Sequence, residues 1–138
     1  MDIQKRDALV RHVNELKARK QVPLVTLEEF FDGNDDGSSI WCNLSGAPQP
    51  ADVLKILRPL TARADVADIR VMITQIDGGD EWPFSDTVYV VTTATPEDVA
   101  AWFDEDHAPD EVYALENPAP TDDLRVPEGY SVIACWWD

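Results

Sequence analysis

Three observations in this 138-residue chain predict an α+β fold. Apolar residues recur at helical spacing over 2–20, 51–63 and 95–105. They alternate, or crowd with β-branched neighbours, over 39–44, 69–76, 87–93 and 129–137. Clusters of Gly, Pro, Asn and Asp punctuate the two kinds of segment. The expected organisation is a single domain over 1–138, with an N-terminal helical part at 1–22 and an α+β core at 38–138.

The first helix follows from Ile3, Leu9, Val10, Val13 and Leu16, with polar and basic residues between them. Asp2 is its expected N-cap, and Lys17, Arg19 and Lys20 suit the negative end of the helix dipole. Pro23 breaks it. Thr26 then opens a helical turn through Phe31, which Asp32-Gly33-Asn34-Asp35-Asp36-Gly37 ends. Ser39–Leu44 alternates as a strand, with Ile40, Cys42 and Leu44 on one face and Trp41 and Asn43 on the other.

After the loop Ser45–Pro50, a helix is expected over Ala51–Arg63, with Val53, Leu54, Leu57 and Leu60 buried and Pro59 as an interruption. Ile69–Ile76 and Thr87–Thr93 are β-branched strands joined through Asp77-Gly78-Gly79-Asp80-Glu81-Trp82-Pro83. Thr95-Pro96-Glu97-Asp98 supplies the cap, first-turn proline and acids of a helix to about Glu105. A Pro- and acid-rich connection across 106–128 has one extended piece at Glu111–Leu115. Gly129–Trp137 is the last strand. Without the first helix the order is βαββαβ, which predicts a ferredoxin-like antiparallel sheet of four to five strands with both helices on one face. The other face would carry Trp41, Asn43, Arg70, Met72, Thr74, Tyr89 and Val91, and the N-terminal helix is the simplest cover for it.

Charge is distributed unevenly. Residues 1–20 carry net +3 and residues 21–138 carry −19, for a total of −16. A field of that sign disfavours nucleic acid and anionic membranes and favours a basic protein partner. The N-terminus lacks a secretory apolar stretch, and no apolar run reaches membrane-spanning length, so a cytoplasmic protein is expected. Cys42 and Cys135 are too few for a disulfide framework and suit small buried hydrophobes. A monomer or weak homodimer is expected.

The best motif match is Asp32–Gly37, which fits the first half of a calcium loop, with Asp32, Asn34 and Asp36 as ligands. Its twelfth position is Asn43 instead of Glu, and a strand follows it in place of a helix. An Asx-turn loop is the competing reading. Two acidic groups are candidate partner-binding sites: the connection with Asp77, Asp80, Glu81 and Trp82, and the cluster Asp104, Glu105, Asp106, Asp110 and Glu111 after the last helix. In the first, Trp82 is either an exposed aromatic anchor or a core residue. The second sits at a helix C-terminus, where negative charge is unfavourable.

No catalytic or cofactor motif is present. His12 and His107 have no nucleophile at motif spacing, and Gly78-Gly79 is too short to cradle phosphate. The inventory favours a non-enzymatic binding module needing no cofactor. The alternative is a small-molecule-binding or catalytic domain using the open sheet face or an edge cleft. The acidic, single-domain α+β character resembles the small immunity proteins that neutralise bacterial toxins, which implies an inhibitor masking a basic partner. The barstar family's aromatic, Gly-Asn and Trp-containing stretch is helical, whereas Gly37-Ser38-Ser39 interrupts Phe31–Leu44 here, so no residue is carried over.

Overall fold

A computed structural model describes residues 1–116 and 124–138. In chain order the elements are α1 (Ile3–Ala18), β1 (Leu24–Thr26), α2 (Leu27–Phe31), α3 (Pro50–Thr61), β2 (Val66–Met72), β3 (Thr87–Thr92), α4 (Pro96–Ala101), β4 (Glu111–Ala114) and β5 (Ser131–Trp136). The strands form one five-stranded sheet in the order β1-β2-β3-β5-β4. Every neighbouring pair is antiparallel. The Pro- and acid-rich connection anticipated across 106–128 falls in part on residues 117–123, outside those described.

The helix starts are written in the sequence. Asp2 accepts the Lys5 N–H at 3.1 Å and caps α1. Thr26 accepts from the Glu29 N–H while Glu29 accepts from the Thr26 N–H, a reciprocal capping box that starts even the five-residue α2. Thr95 caps α4 by accepting from the Asp98 N–H. Pro59 falls in the last turn of α3; it cannot donate to the Lys55 carbonyl, and the helix ends two residues later at Thr61.

Register sorts the sheet into two faces. Val25, Ile69, Val71, Val88, Val90, Ile133 and Cys135 face the helices and share one buried cluster with Leu9, Val13, Phe30, Val53, Leu57 and Val99. The opposite face carries Arg70, Met72, Tyr89, Val91, Ala134, Tyr113 and Trp136.

Two expectations are corrected here. The ferredoxin-like order fails because 39–44 is not a strand. Among the described residues its backbone meets the sheet region through an isolated Ile40–Ser85 bridge. Trp41 adopts φ +53°, so that Ile40 and Trp41 are both buried in succession while Cys42 and Asn43 are exposed. Turns at Leu44 and Ala47 follow. A left-handed non-glycine residue costs roughly 1–2 kcal/mol. Burial of the indole offsets that: Trp41 packs on Trp137 at 4.7 Å, Phe103 at 6.5 Å and His107 at 6.0 Å between ring centroids. With 39–44 absent from the sheet, β5 lies between β3 and β4, and the short strand β1, unforeseen after Pro23, takes the other edge.

The second correction concerns α1. It packs beside α2 and contributes Leu9 and Val13 to the helix-side core, so it is not the cover of the opposite sheet face. Ile3, the first residue of the apolar series that predicts this helix, is 51% exposed.

Candidate functional site

The sheet register gathers the predicted acidic residues at one end. Met72 is paired with Thr87, Thr87 with Trp136, and Trp136 with Glu111, so these four residues form a row across β2, β3, β5 and β4. The chain leaves that row through 73–86, enters it through 102–110 and leaves again at 137–138. Asp77, Asp80 and Glu81 therefore share an end of the sheet with Asp104, Glu105, Asp106, Asp110 and Asp138. From β2 to β4 the row covers three strand spacings, about 14 Å.

On the β2–β3 side, Arg6 fixes the loop from beneath. Its guanidinium is buried and donates from Nε to the Glu81 carbonyl and from Nη2 to the Gly78 carbonyl, both at 2.9 Å. Because Arg6 satisfies backbone oxygens here, it leaves the carboxylates of Asp80 and Glu81 exposed. Asp77 accepts from the Gln75 side-chain amide at 2.6 Å. Trp82 is 2% exposed, which rules out its role as an exposed anchor. The loop's turn chemistry and adjoining Pro83 fold the indole into the core.

On the other side, Asp104 accepts from the backbone N–H groups of Asp106 and His107, each at 3.0 Å, and meets His107 Nδ1 at 2.7 Å. These bonds explain how carboxylates are tolerated just past α4: Asp104 caps the turn that follows. Trp137 Nε1 donates to the His107 carbonyl at 3.0 Å, and Asp110 accepts from the Asp138 N–H at 2.7 Å. The loop is thereby tied to the end of β5. Glu105 and Asp106 remain exposed. No Lys or Arg occurs between Arg70 and Arg125, a stretch containing fourteen Asp and Glu.

The Asp32–Gly37 loop is an Asx-turn structure. Asp32 pairs with Lys5 Nζ at 2.8 Å. Asn34 is buried; its Oδ1 accepts from the Asp36 N–H and its Nδ2 donates to Ser39 Oγ. Asp36 accepts from the Ser38 N–H and Oγ and from the Trp82 N–H. This is the Asx-turn arrangement, in which Asp32, Asn34 and Asp36 accept from three different sets of protein donors. Among the described residues, no group of three or more His, Cys, Asp or Glu is placed to hold a metal. Burial opposes ionisation of Asp36, but the Ser38 and Trp82 hydrogen bonds and the nearby α-amino group outweigh it and hold its carboxyl below the usual range.

Clear depressions border α2. One is lined by Lys5, Ala8, Leu9, Glu28, Glu29 and Asp32, and another by Thr26, Glu28, Arg58, Thr61 and Asp68 among others. Their polar groups are largely committed: Lys5 to Asp32, and Glu29 to His12 and to the α2 cap. The two cysteines differ. Cys42 is exposed, against expectation, whereas burial pushes the Cys135 thiol up to about 12. No helix among the described residues is long and apolar enough to cross a membrane.

Sequence reasoning missed Arg6 and Asp138. Arg6 had a legible signal, since positions 6, 9, 13 and 16 lie on one helical stripe. Asp138 joins the rim only through the place β5 takes between β3 and β4, which local pattern does not encode.

An acidic α+β domain with this charged rim defines the class of molecule. The chain belongs to the family described as "Uncharacterized protein YfbO family", whose model matches residues 4–135. It is similar to "Uncharacterized protein YfbO" of Escherichia coli (strain K12), with 38% identity over 117 residues, covering 84% of this chain and 83% of that protein. No solved structure matches it.

Proposed function

We propose that this chain is a non-enzymatic protein-binding module, of the immunity-inhibitor kind, which masks a basic surface on its partner. One observation carries the reading: strand register collects Asp77, Asp80, Glu81, Asp104, Glu105, Asp106, Asp110 and Asp138 at one end of the sheet, all but Asp138 from the stretch between Arg70 and Arg125 that has no Lys or Arg. Like charges held together on a rigid frame focus a negative field, which accelerates encounter with a cationic surface and disfavours acidic competitors. Arg6 and the Asp104 turn hold the two acidic loops in place without neutralising Asp80, Glu105 or Asp106.

Capture of partners from the native host at low and high ionic strength tests the reading. The variant Asp80→Asn/Glu105→Gln/Asp106→Asn removes charge from side chains outside the hydrogen-bond network and should keep the fold. Its affinity for a captured basic protein should fall about tenfold or more, mostly through slower association. If only neutral or acidic proteins are retained, or if the triple variant binds as the parent does at low salt, charge masking is wrong.

A further inference from the structure

The sheet has two edges, and they differ in what their backbones have left to offer. At β1 the edge is short and runs directly into α2, with the Thr26 N–H given to Glu29. At β4 it is open. Leu115 donates its N–H to the Val132 carbonyl, and this fixes the alternation of the β4–β5 ladder. Glu111, Tyr113 and Leu115 turn their peptide groups toward β5, so Val112 and Ala114 turn theirs to the free side. Neither of those two residues has a hydrogen bond beyond the ladder among the described residues. Unpaired strand edges are templates for another strand.

We propose that β4 receives an extended basic segment of a partner protein as a sixth, hydrogen-bonded strand. The inference rests on the acidic-rim reading and specifies how a basic partner would be held. The flanks of this edge are Asp110 and Glu111 on one side and Glu116 on the other, all exposed. Glu111 and Tyr113 project on the face away from the helices, where Tyr113 is 45% exposed, while Val112 lies on the helix side opposite Cys135. The matching segment therefore alternates. Lys or Arg at every second position lies beside Glu111 and the Tyr113 ring, and small apolar residues lie beside Val112 and Ala114. Backbone bonds supply attachment, and the side-chain alternation supplies selectivity. A second copy of this chain is a poor occupant, because pairing β4 with itself would bring the same carboxylates, on two molecules of net charge −16, into one ladder.

The test is amide hydrogen exchange by NMR on the full chain, with and without the blocked peptide Lys-Val-Arg-Val-Lys at low salt. The expected result is a tenfold or greater slowing of exchange at Val112 and Ala114, lost at high salt and absent with Glu-Val-Glu-Val-Glu. Ala114→Pro removes the outward N–H and leaves the β5 ladder bonds, since proline is tolerated at a solvent-side edge position. It should abolish the protection. Glu111→Lys, which touches no backbone group, should weaken peptide binding severalfold and serves if the proline variant does not fold. Shifts confined to Asp77–Glu81 or Asp104–Asp106, with exchange at Val112 and Ala114 unchanged, would overturn the strand proposal and leave the acidic rim standing. Protection that appears without peptide as protein concentration rises would overturn it in favour of self-pairing. Complete indifference to the basic peptide would overturn it as well, with host capture deciding the rim separately.

Discussion

Asp36 is the residue on which the loops around the rim depend. Its carboxylate joins the Ser38 turn to the Trp82 backbone, forty-six residues later in the chain. Removing it strands a partly buried N–H at Trp82 and releases the turn, and each such loss costs about 1–3 kcal/mol. Asp36→Ala should therefore lower stability by about 2 kcal/mol, as measured by denaturant midpoint. The pH dependence has a definite sign. The Asp36 pKa is depressed in the fold, so its contribution is fully present above the unfolded carboxylate value of 3.8 and disappears as pH falls through the lower folded value. The difference between parent and Asp36→Ala should be constant at neutral pH and shrink only below about pH 4. A difference that shrank near pH 6 would mean that some other group controls the loop.

At the scale of elements, α1 acts through packing and one buried cation. Lys5 pairs on the surface with Asp32, and Arg11 is exposed, whereas Arg6 is 7% exposed and holds two carbonyls of the β2–β3 loop. Charge removal should accordingly have unequal effects. Arg6→Gln should cost about 1–3 kcal/mol and loosen the Gly78–Glu81 loop. Lys5→Gln and Arg11→Gln should stay within about 0.5 kcal/mol. Equal effects in thermal unfolding would show that the Arg6 bonds contribute nothing. Deleting α1 would bare Val25 and Phe30 of the helix-side core, so aggregation is expected from that side of the sheet.

These elements also show which parts of the fold were legible. Capping residues are local, so Asp2, Thr26 and Thr95 announced three helices correctly. The β-branched runs announced β2, β3 and β5. Ser39–Leu44 misled because period-two alternation cannot register that Trp41 gains more by turning inward onto Trp137 and Phe103 than by staying in a ladder. Sheet order was then wrong as a consequence, since it depends on which segments compete for the edges of β3. The acidic groups themselves were visible, but their convergence is a property of register and needed the structure.

At the scale of the whole molecule, the net charge of −16 acts against the compact state. Repulsion among exposed carboxylates is relieved by salt, whose Debye length falls from about 30 Å at 0.01 M to about 8 Å at 0.15 M. Raising NaCl over that range should therefore stabilise the chain. A relief of about 1 kcal/mol corresponds to a rise of about 4 °C in melting temperature for a domain of this size. Divalent ions separate this field effect from a specific site. The oxygens of Asp32, Asn34 and Asp36 already accept from Lys5, Asp36, Ser38 and Trp82, so Ca²⁺ would have to displace those donors to bind there. At matched ionic strength, CaCl₂ and MgCl₂ should raise the melting temperature equally, and Asp36→Ala should keep the same salt response from a lower starting point. A rise with CaCl₂ several degrees beyond MgCl₂, abolished by Asp36→Ala, would show instead that the loop reorganises around calcium by mass action. The hydrogen bonds assigned to Asp36 would then describe only the metal-free state.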